Sequence, residues 1–510
     1  MADMTDERPD KAQAVYSEPI VARLGSGAGV APLKRVDATG EAGSVDCGAL
    51  VRIELTLGGG AVQGTRYQAY GCPATIACAG ETAARVEGKS FLEAATVSEQ
   101  AIGEALGLAP GQLTSATLAL EALHSALGSA AASIEELHPP GPSVDEGGVL
   151  VGMSGGVDSA VAAMLLKNQG YRVVGVTLKL WSDPSSTDER TCCSPEAVRR
   201  ARRTAHGLGI PHLTVDASEA FYREVVSYFV EQYGKGMTPN PCAKCNARVR
   251  IGLMLEIAGR LGLSRIATGH YARLGGSPPT LMRGVDRLKD QSYVLAEVSP
   301  EMLRQAVFPV GSMTKTEVKA MASEAGLEGH AVPESQEICF VANDDHRRFL
   351  CERLGERPGI IVDGEGRPIG RHSGTYNFTI GQRKGLGIAS PVPLYVVAVD
   401  AERALVVAGH AEECEVRGVV VEGVVRHRLG TTFSGTVQLR SSGQAVPAHV
   451  GGEEGAPGAV LHDDQVSIIL DEPVCGVAAG QTAVMYDGDV VTLAGTIRST
   501  ARRVRGERGL

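Results

Sequence analysis

The sequence contains no run of about 18 or more apolar residues, so it has no segment with the length and apolarity of a membrane span. Its first ten residues, MADMTDERPD, are acidic and lack the positive start and apolar core of a secretory signal peptide. The eleven cysteines are an odd number and suit reduced cytosolic thiols better than a disulfide framework. These features argue against a membrane partner and predict a cytoplasmic protein.

The composition is that of a soluble chain with several domains. Hydrophobic residues make up 43% of the sequence and charged residues 21%, as in ordinary globular proteins. A chain of 510 residues is too long for one hydrophobic core. The net charge of -10 argues weakly against a nucleic-acid partner, yet arginines cluster at residues 199–203, at 347–348 and from 498 to 508. On composition alone, these clusters are interpreted as solvated faces and a frayed end.

The first part of the chain predicts a small α+β domain over residues 1–140. Residues 51–57, VRIELTL, alternate apolar and polar positions and precede a glycine turn, which is the pattern of a hairpin with one buried face. Two stretches with helical periodicity follow, the second near residues 112–137. The prolines and glycines of HPPGPSVDEGG then stop the helix and predict a linker at 141–148.

From residue 149 to 354 the pattern changes to apolar strands that alternate with amphipathic helices. That order predicts an α/β domain whose parallel sheet is covered on both faces. Thr314 and Glu317 have the T-x-x-E spacing of a helix capping box. Beyond about residue 355, short valine-rich runs predict all-β structure, with a small connector at 355–415 and a barrel at 416–510.

The segment TPNPCAKCNARVR, residues 238–250, places Cys242 and Cys245 at CxxC spacing, with Arg248 and Arg250 close behind. The spacing alone is compatible with half of a zinc site, a redox pair, iron-sulfur ligands, or a thiol that acts on an anionic substrate. All four interpretations stay open on these residues.

The segment SGGVDS, residues 154–159, lies between a predicted strand and a predicted helix. Its two glycines allow a phosphate to approach the backbone, and the free amides at a helix N-terminus hold an anion. The lysine of a Walker loop and the G-x-G-x-x-G of a dinucleotide fold are both absent. A phosphate-binding loop of a different class is therefore predicted.

The loop resembles the pyrophosphate loop (PP-loop) of the ATP pyrophosphatases, and its wider context resembles the tRNA-specific 2-thiouridylases. The segments that carry the resemblance, over residues 148–490, are GMSGGVDSAVAAMLL, TPNPCAKCN, ATGHYARL, KDQSYVL, ESQEICFV and GTYNFTIGQRKGLGI. It implies an adenine nucleotide alpha hydrolase-like central domain that uses ATP with magnesium. It also implies transfer of AMP to the C2 oxygen of the tRNA wobble uridine, followed by replacement of that oxygen with sulfur.

The same resemblance assigns roles to individual residues. Cys245 would be the nucleophile and Cys339 would carry a persulfide, the two forming a transient disulfide. The implied ATP-binding residues are Gly152, Met153, Ser154, Gly155, Gly156, Val157, Asp158, Ser159, Leu178 and Gly269. The implied tRNA-binding residues are Asn240, Pro241 and Cys242 around the target base, and His270, Lys289, Asp290, Gln291, Arg440 and Gln481 elsewhere. A tRNA partner also favours phosphate contacts by the arginines of residues 199–203, and the target base would have to leave the anticodon stack.

Cys242 departs from the family pattern, in which many members have Asp at this position. The change removes a candidate acid or base. With Cys245 and Cys339 it would give three thiolates, which are able to hold a [4Fe-4S] cluster with one open iron. The persulfide route and the cluster route are therefore alternatives, and a closed zinc site is a third that leaves no reactive thiol.

Residues 15–137 resemble U-type iron-sulfur cluster scaffolds. Cys47 and Cys72 match two of the three scaffold cysteines, with Cys78 nearby, while Ala49 replaces the scaffold aspartate and Ser125 is assigned to the third cysteine. The resemblance implies a sulfur relay or a docking site for a cysteine desulfurase, or else a purely structural domain. Two other functions compete for the whole chain: an amide-forming synthetase of the ATP pyrophosphatase class, and an iron-sulfur or sulfur carrier docked to RNA. The adjacent Cys192 and Cys193 are interpreted as structural.

Overall fold

A computed structural model describes residues 16–27, 29–44, 48–135, 137–138, 145–183, 194–327, 338–341, 345–428, 433–450 and 465–502. Cys47, Cys192 and Cys193 lie outside the described residues, as do the arginines beyond residue 502 and residues 141–144 of the predicted linker. Within the described ranges, no helix has the length and apolarity needed to cross a membrane.

The helices are α1 Glu18–Ser26, α2 Pro73–Val86, α3 Phe91–Ala94, α4 Glu99–Leu106, α5 Leu113–Ser133, α6 Val157–Asn168, α7 Pro195–Gly207, α8 Ser218–Phe221, α9 Ser227–Gly234, α10 Pro241–Cys245, α11 Ile251–Arg260, α12 Ser292–Leu295, α13 Pro300–Leu303, α14 Lys315–Glu324 and α15 His346–Leu354. The strands are β1 Ala38–Ser44, β2 Ala49–Gly58, β3 Ala61–Tyr70, β4 Asp145–Gly152, β5 Arg172–Lys179, β6 His212–Asp216, β7 Leu263–Thr268, β8 Ala272–Gly275, β9 Thr280–Arg283, β10 Ala306–Val307, β11 Gly359–Val362, β12 Pro368–His372, β13 Tyr395–Asp400, β14 Leu405–Gly409, β15 Glu415–Arg426, β16 Phe433–Gln438, β17 Val446–Val450, β18 Gln465–Cys475, β19 Thr482–Asp487 and β20 Val490–Arg502.

The N-terminal domain is the predicted α+β unit, an antiparallel sheet β1-β2-β3 with helices α1 to α5. Strand β2 contains the alternating VRIELTL segment, and its turn into β3 confirms the predicted hairpin. Helix α5 buries 13 of its 21 residues because it is covered on more than one side. It packs on β1 and β2 of its own domain and on β6 of the next.

The central domain is built on the parallel sheet β10-β7-β4-β5-β6. Alternate residues of β4 point to opposite faces. Val149 and Val151 pack in one apolar cluster with α6 and α7, whereas Leu150 packs with α5 and α11. The prediction of a parallel sheet covered on both faces is confirmed, but one of its covering helices, α5, comes from the N-terminal domain.

One boundary predicted from the sequence is corrected, and one local prediction is confirmed. Strand β4 begins at Asp145, which pairs with Leu263 of β7, so residues 145–148 belong to the sheet rather than to a linker. The capping box is confirmed at α14, where the Thr314 side chain accepts from the Glu317 N–H and Glu317 accepts in return from the Thr314 N–H.

The C-terminal part is all-β, as predicted. Strands β11 to β14 form a four-stranded sheet in the order β12-β11-β14-β13. Strands β15 to β20 form a closed six-stranded barrel, because β15 pairs with both β18 and β20. The hairpin β8-β9 of the central region extends the barrel sheet, since Met282 of β9 pairs with Val490 of β20. The barrel is therefore joined to the central region by backbone pairing.

Candidate active site

The predicted phosphate loop connects the end of β4 to the start of α6. Gly155 has a φ of +75°, and Gly156 is the N-cap residue of α6. The Ser159 hydroxyl donates to the carbonyl of Gly156 at 2.9 Å, and the N–H of Ser154 donates to the Ser159 oxygen at 3.2 Å. The serine hydroxyls therefore fix the loop around the amides at the start of α6, which is the arrangement that binds an anion.

Two side chains from outside the phosphate loop, Lys315 and Tyr271, bind the Asp158 carboxylate. Lys315 Nζ lies 2.7 and 2.8 Å from its two oxygens, and the Tyr271 hydroxyl donates to one of them at 2.7 Å. Lys315 is the first residue of α14 and its side chain is 10% exposed. Asp158 thus ties the first turn of α6 to α14, a role that the loop motif alone does not indicate.

The other predicted ATP-binding residues meet at the carboxyl end of the same sheet. The Met153 N–H donates to Val176 of β5 at 2.8 Å, and Leu178 lies near the end of that strand. Gly269 follows β7, and a Cβ there would lie 2.7 Å from the backbone nitrogen of Ser159. In open parallel sheets this edge is where ligands bind.

The CxxC segment forms the short helix α10. Asn240 caps it by accepting from the Ala243 N–H at 3.2 Å, and Pro241 occupies its first turn. Cys242 is exposed, whereas Cys245 is 7% exposed. A π-helical segment, Asn246–Arg250, follows directly, and such segments are frequent at functional sites.

A buried ion pair positions this helix, and sequence reasoning missed it. Lys244 Nζ lies 2.5 Å from Glu297, and the two side chains are 9% and 7% exposed. Thr496 of the barrel accepts from Lys244 at 2.8 Å, and Thr482 donates to Glu297 at 2.8 Å. Within CAKC, Lys244 looks like a spacer, so no local signal identifies it. The pair connects the cysteine helix to the barrel.

Cys245 and Cys339 contact one apolar cluster that also contains Phe229, Phe340 and Val249. Leu178, from the predicted ATP-binding edge, packs against the same cluster. The structure thus brings the two predicted sulfur-transfer residues to the same region as the end of β5.

The described residues contain no group of three His, Cys, Asp or Glu side chains arranged to hold a metal ion. Cys242, Cys245 and Cys339 are all among them. The three thiols do not form such a group in this arrangement, and the [4Fe-4S] and zinc alternatives stay predictions.

The predicted tRNA-binding residues divide into two groups. Gln481 of the barrel donates to the carbonyl of Thr238 at 3.0 Å, so it lies against the loop that leads to Cys242. Arg440 is exposed on the barrel.

Other members of the set are engaged within the protein. The Asp290 side chain is 5% exposed and pairs with Arg283. Gln291 accepts a hydrogen bond from the Tyr271 N–H at 2.9 Å. Lys289, the residue before Asp290, is half-buried. Burial, with the nearby charge of Arg250, lowers the pKa of His270 to about 3. Their contact with tRNA stays a prediction.

The arginines of residues 199–203 are engaged within the protein, and their contact with tRNA phosphates stays a prediction. Arg202 is 3% exposed. Arg199 pairs with Glu121 of α5 at 2.7 Å, Arg203 with Glu196 at 2.8 Å, and Arg200 donates to the Gly155 carbonyl at 2.6 Å. The physical reason is that α7 lies between α5 and the phosphate loop.

A second thiol site lies in the N-terminal domain. Cys72 is the exposed N-cap residue of α2, with its Sγ 3.3 Å from the Thr75 hydroxyl and 3.9 Å from that of Ser115. Burial acts to raise the pKa of Cys72, but hydrogen bonds from Thr75, Ser115 and the Ala74 backbone outweigh it and hold the pKa below its ordinary value. Burial raises the pKa of Cys78 to about 12.

The residue that faces Cys72 from α5 is Ser115, so the assignment of Ser125 to the third scaffold position is wrong. Ser115 lies in the first turn of α5, whereas Ser125 is ten residues further along, about 15 Å by helix rise. Ala49 lies near this site, since a Cβ on Gly71 would be 3.1 Å from it. Ala49 and Ser115 thus stand at the two replaced ligand positions near Cys72. Among the described residues, these two positions supply neither a cysteine nor a carboxylate.

Family models match almost the whole chain. Residues 15–134 match the NifU-like N terminal domain, 147–343 the tRNA methyl transferase HUP domain, 347–410 the tRNA methyl transferase PRC-barrel domain and 424–497 the aminomethyltransferase beta-barrel domain.

Relatives match over two thirds or more of the chain. The bifunctional protein NifU/MnmA of Rubrobacter xylanophilus is 45% identical over 465 residues, which cover 89% of this chain and 92% of that protein. The tRNA-specific 2-thiouridylase MnmA of Mycolicibacterium smegmatis is 45% identical over 365 residues, covering 68% of this chain and 99% of the relative. MnmA 1 of Caldanaerobacter subterraneus is 41% identical over 366 residues, covering 69% and 98%. The chain belongs to the family of tRNA-specific 2-thiouridylases, which are ATP-using sulfurtransferases of the PP-loop class, and within it to the bifunctional NifU/MnmA type.

Proposed function

We propose that this chain activates the wobble uridine of tRNA with ATP and transfers sulfur to its C2 position from a persulfide on Cys339. The observation that carries the proposal is the shared apolar cluster of Cys245, Cys339 and Leu178. This shared cluster supports a location of both thiols near the edge of the sheet that carries the phosphate loop. The loop would bind ATP for the activation of uridine, and the two thiols would carry out the sulfur transfer.

The first half of the reaction makes the C2 oxygen a leaving group. The uridine oxygen attacks the α-phosphorus of ATP, an adenylated uridine forms, and pyrophosphate leaves. The amides of Gly156 and Val157 at the start of α6 face the anion in this assignment. Magnesium would be carried by the ATP phosphates. No magnesium contact is assigned to Asp158, because both its oxygens accept from Lys315.

The second half transfers sulfur. The terminal sulfur of the Cys339 persulfide attacks C2 and AMP leaves with the original oxygen. The Cys245 thiolate then attacks the Cys339 sulfur, which breaks the S–S bond, leaves 2-thiouridine, and forms a Cys245–Cys339 disulfide. A thiol reductant returns the disulfide to two thiols. Because Cys245 is 7% exposed, the target base has to leave its stack to reach it.

Cys242 has a different position from the other two. It is exposed at the start of α10, whereas Cys245 is 7% exposed. We assign it to the wall of the base pocket with Asn240 and Pro241, and no step of the reaction is routed through an iron-sulfur cluster.

The N-terminal domain is proposed to receive sulfur through Cys72. Its lowered pKa favours the thiolate, which is the form that accepts a sulfur atom. Tyr70 and Leu50 face each other across β2 and β3 beside it and are 75% and 50% exposed. An apolar surface next to a reactive thiol suits a sulfur-donating partner such as a cysteine desulfurase.

The proposal is tested in a strain that lacks this gene. Mass spectrometry of its tRNA nucleosides should show loss of 2-thiouridine, which the intact gene restores and the Cys339→Ser gene does not. Unchanged 2-thiouridine in the deletion strain would refute the proposed function.

A further inference from the structure

Helix α7 connects the N-terminal domain to the phosphate loop through two consecutive residues. Arg199 Nε donates to Glu121 Oε1 of α5 at 2.7 Å. The next residue, Arg200, donates from Nε to the carbonyl oxygen of Gly155 at 2.6 Å. One turn of α7 therefore holds a side chain of the N-terminal domain and a backbone group of the loop at the same time.

The contact with Gly155 controls the orientation of one peptide group. In a trans peptide the carbonyl and the following N–H point in opposite directions. Because Arg200 holds the Gly155 carbonyl on the side of α7, the Gly156 N–H points into the loop, where it lies 3.4 Å from the Ser154 hydroxyl. Amides that point into such a loop are the groups that hold phosphate.

Backbone packing keeps α7 close to the loop. Gly155 has a φ of +75°, and a Cβ at this position would overlap the carbonyl oxygen of Ala197 in the first turn of α7. A movement of α7 toward or away from the loop would therefore displace the peptide between Gly155 and Gly156.

The other side of α7 is fixed against α5. Arg202, three residues after Arg199, is 3% exposed, and burial together with the nearby Arg202 charge holds the pKa of the fully buried His124 of α5 well below its ordinary value. The rings of His124 and His206 are 5.6 Å apart. The contact between α5 and the central sheet is equally close, since a Cβ on Gly128 would overlap the Thr214 carbonyl of β6. A closely packed interface of this kind transmits displacement instead of absorbing it.

We propose that the N-terminal domain is a positioning element for ATP, with Arg200 orienting the peptide between Gly155 and Gly156 and the Glu121–Arg199 ion pair anchoring α7. The inference rests on the proposed use of ATP at this loop. It gives the N-terminal domain a role in nucleotide binding that is separate from any delivery of sulfur by Cys72.

The test uses charge reversal in the full chain. Glu121→Arg and Arg199→Glu are each expected to raise the Kd and the KM for ATP about 5-fold, which corresponds to about 1 kcal/mol at 1.4 kcal/mol per tenfold. The kcat at saturating ATP should stay within about twofold, because the reacting atoms are untouched. The double variant restores the ion pair with opposite polarity and should return both constants to near the wild-type values.

Arg85→Glu is the matched control. Arg85 has the same side-chain exposure as Arg199, 36%, and donates from Nε to Glu81 at 2.8 Å, within the N-terminal domain. It should leave the Kd for ATP unchanged. If Glu121→Arg and Arg199→Glu bind ATP as tightly as Arg85→Glu does, the proposal is wrong.

Arg200 is tested with conservative changes that keep the fold. Arg200→Gln should raise the Kd for ATP more than Arg200→Lys, which keeps a charged donor. A lower melting temperature with an unchanged Kd for ATP in Arg200→Gln and Glu121→Gln would show a purely structural role and overturn the proposal. Direct titration with ATP separates a failure of this proposal from a failure of the proposed function. Wild-type protein that binds ATP but forms no 2-thiouridine would refute only the proposed function.

Discussion

The ammonium group of Lys315 lies 2.7 and 2.8 Å from the two carboxylate oxygens of Asp158, across the junction between α14 and the phosphate loop. The side chains are 10% and 31% exposed. Asp158 therefore supports the loop from behind, together with the Tyr271 hydroxyl.

Lys315→Gln should weaken ATP binding and lower stability by about 1–2 kcal/mol, since the partly exposed Asp158 carboxylate loses its charged partner. Urea unfolding and ATP titration measure the two effects. Glu324→Gln, an exposed change at the end of the same helix, is the control. If both variants bind ATP equally well, the Lys315–Asp158 pair does not support the phosphate loop.

Cys245→Ser and Cys339→Ser should each abolish thiolation while tRNA binding stays within a few-fold, because a hydroxyl replaces a thiol with little change in packing or charge. Cys351→Ser is the control, since Cys351 packs against the same apolar cluster. Thiolation by Cys339→Ser with a persulfide donor would place the persulfide on another residue.

Cys242→Asp should retain activity, and the protein should be colourless after anaerobic purification. The reason is that the three thiols do not form a metal-binding group among the described residues. Visible spectra and iron analysis of the full chain carrying Cys47→Ser and Cys72→Ser exclude the N-terminal cysteines as a source of colour. Stoichiometric iron in that protein, lost on Cys242→Asp, would establish the cluster route instead.

Lys244→Met should destabilise the protein by about 3–5 kcal/mol, because it leaves Glu297 buried without its cation. The double variant Lys244→Met with Glu297→Gln should recover part of that loss. Urea unfolding of the three proteins gives the comparison. An unchanged midpoint in Lys244→Met would show that the pair does not fix α10 to the barrel.

The Cys72 thiol should be alkylated at a lower pH than an ordinary thiol, since its pKa is lowered. Because the folded pKa lies below the unfolded one, the associated stability is present above the unfolded pKa and is lost as pH falls through the folded pKa. The pKa of the Cys72 thiol is measured from the rate of its alkylation by iodoacetamide at different pH values, with peptide mapping to identify the modified residue. Ser115→Ala should shift the profile toward higher pH, and an unshifted profile would contradict the hydrogen-bond origin. Cys78 should stay unreactive, as its pKa is raised to about 12.

The most accurate predictions come from motifs whose residues lie close together in the sequence. SGGVDS predicted a loop between β4 and α6, and the alternating VRIELTL segment predicted β2, because both signals lie within a few residues. The partners of the α7 arginines, Glu121 and Gly155, are 78 and 45 residues away in the sequence, so no local pattern predicts these contacts. Ser125 was placed at the scaffold site for a similar reason: only the fold shows that the first turn of α5, with Ser115, faces Cys72.

The covering of the central sheet is another feature that local patterns do not reveal. The buried residues of α5 belong to one apolar cluster that includes residues of its own sheet and of β6. Removal of residues 1–144 should therefore expose Leu150 and Val174, which pack in the same cluster as α5, and cause aggregation or loss of a cooperative melt. A monodisperse truncated protein that melts like the full chain would contradict this packing.

The most direct test of the central claim is a reaction with purified full-length protein, unmodified tRNA, ATP, magnesium and a persulfide donor, followed by mass spectrometry of the tRNA nucleosides. We expect 2-thiouridine at the wobble position in amounts matched by the AMP and pyrophosphate released, and none without ATP or with Cys339→Ser. Formation of 2-thiouridine without ATP, or at the wild-type level with Cys339→Ser, would contradict the proposed mechanism.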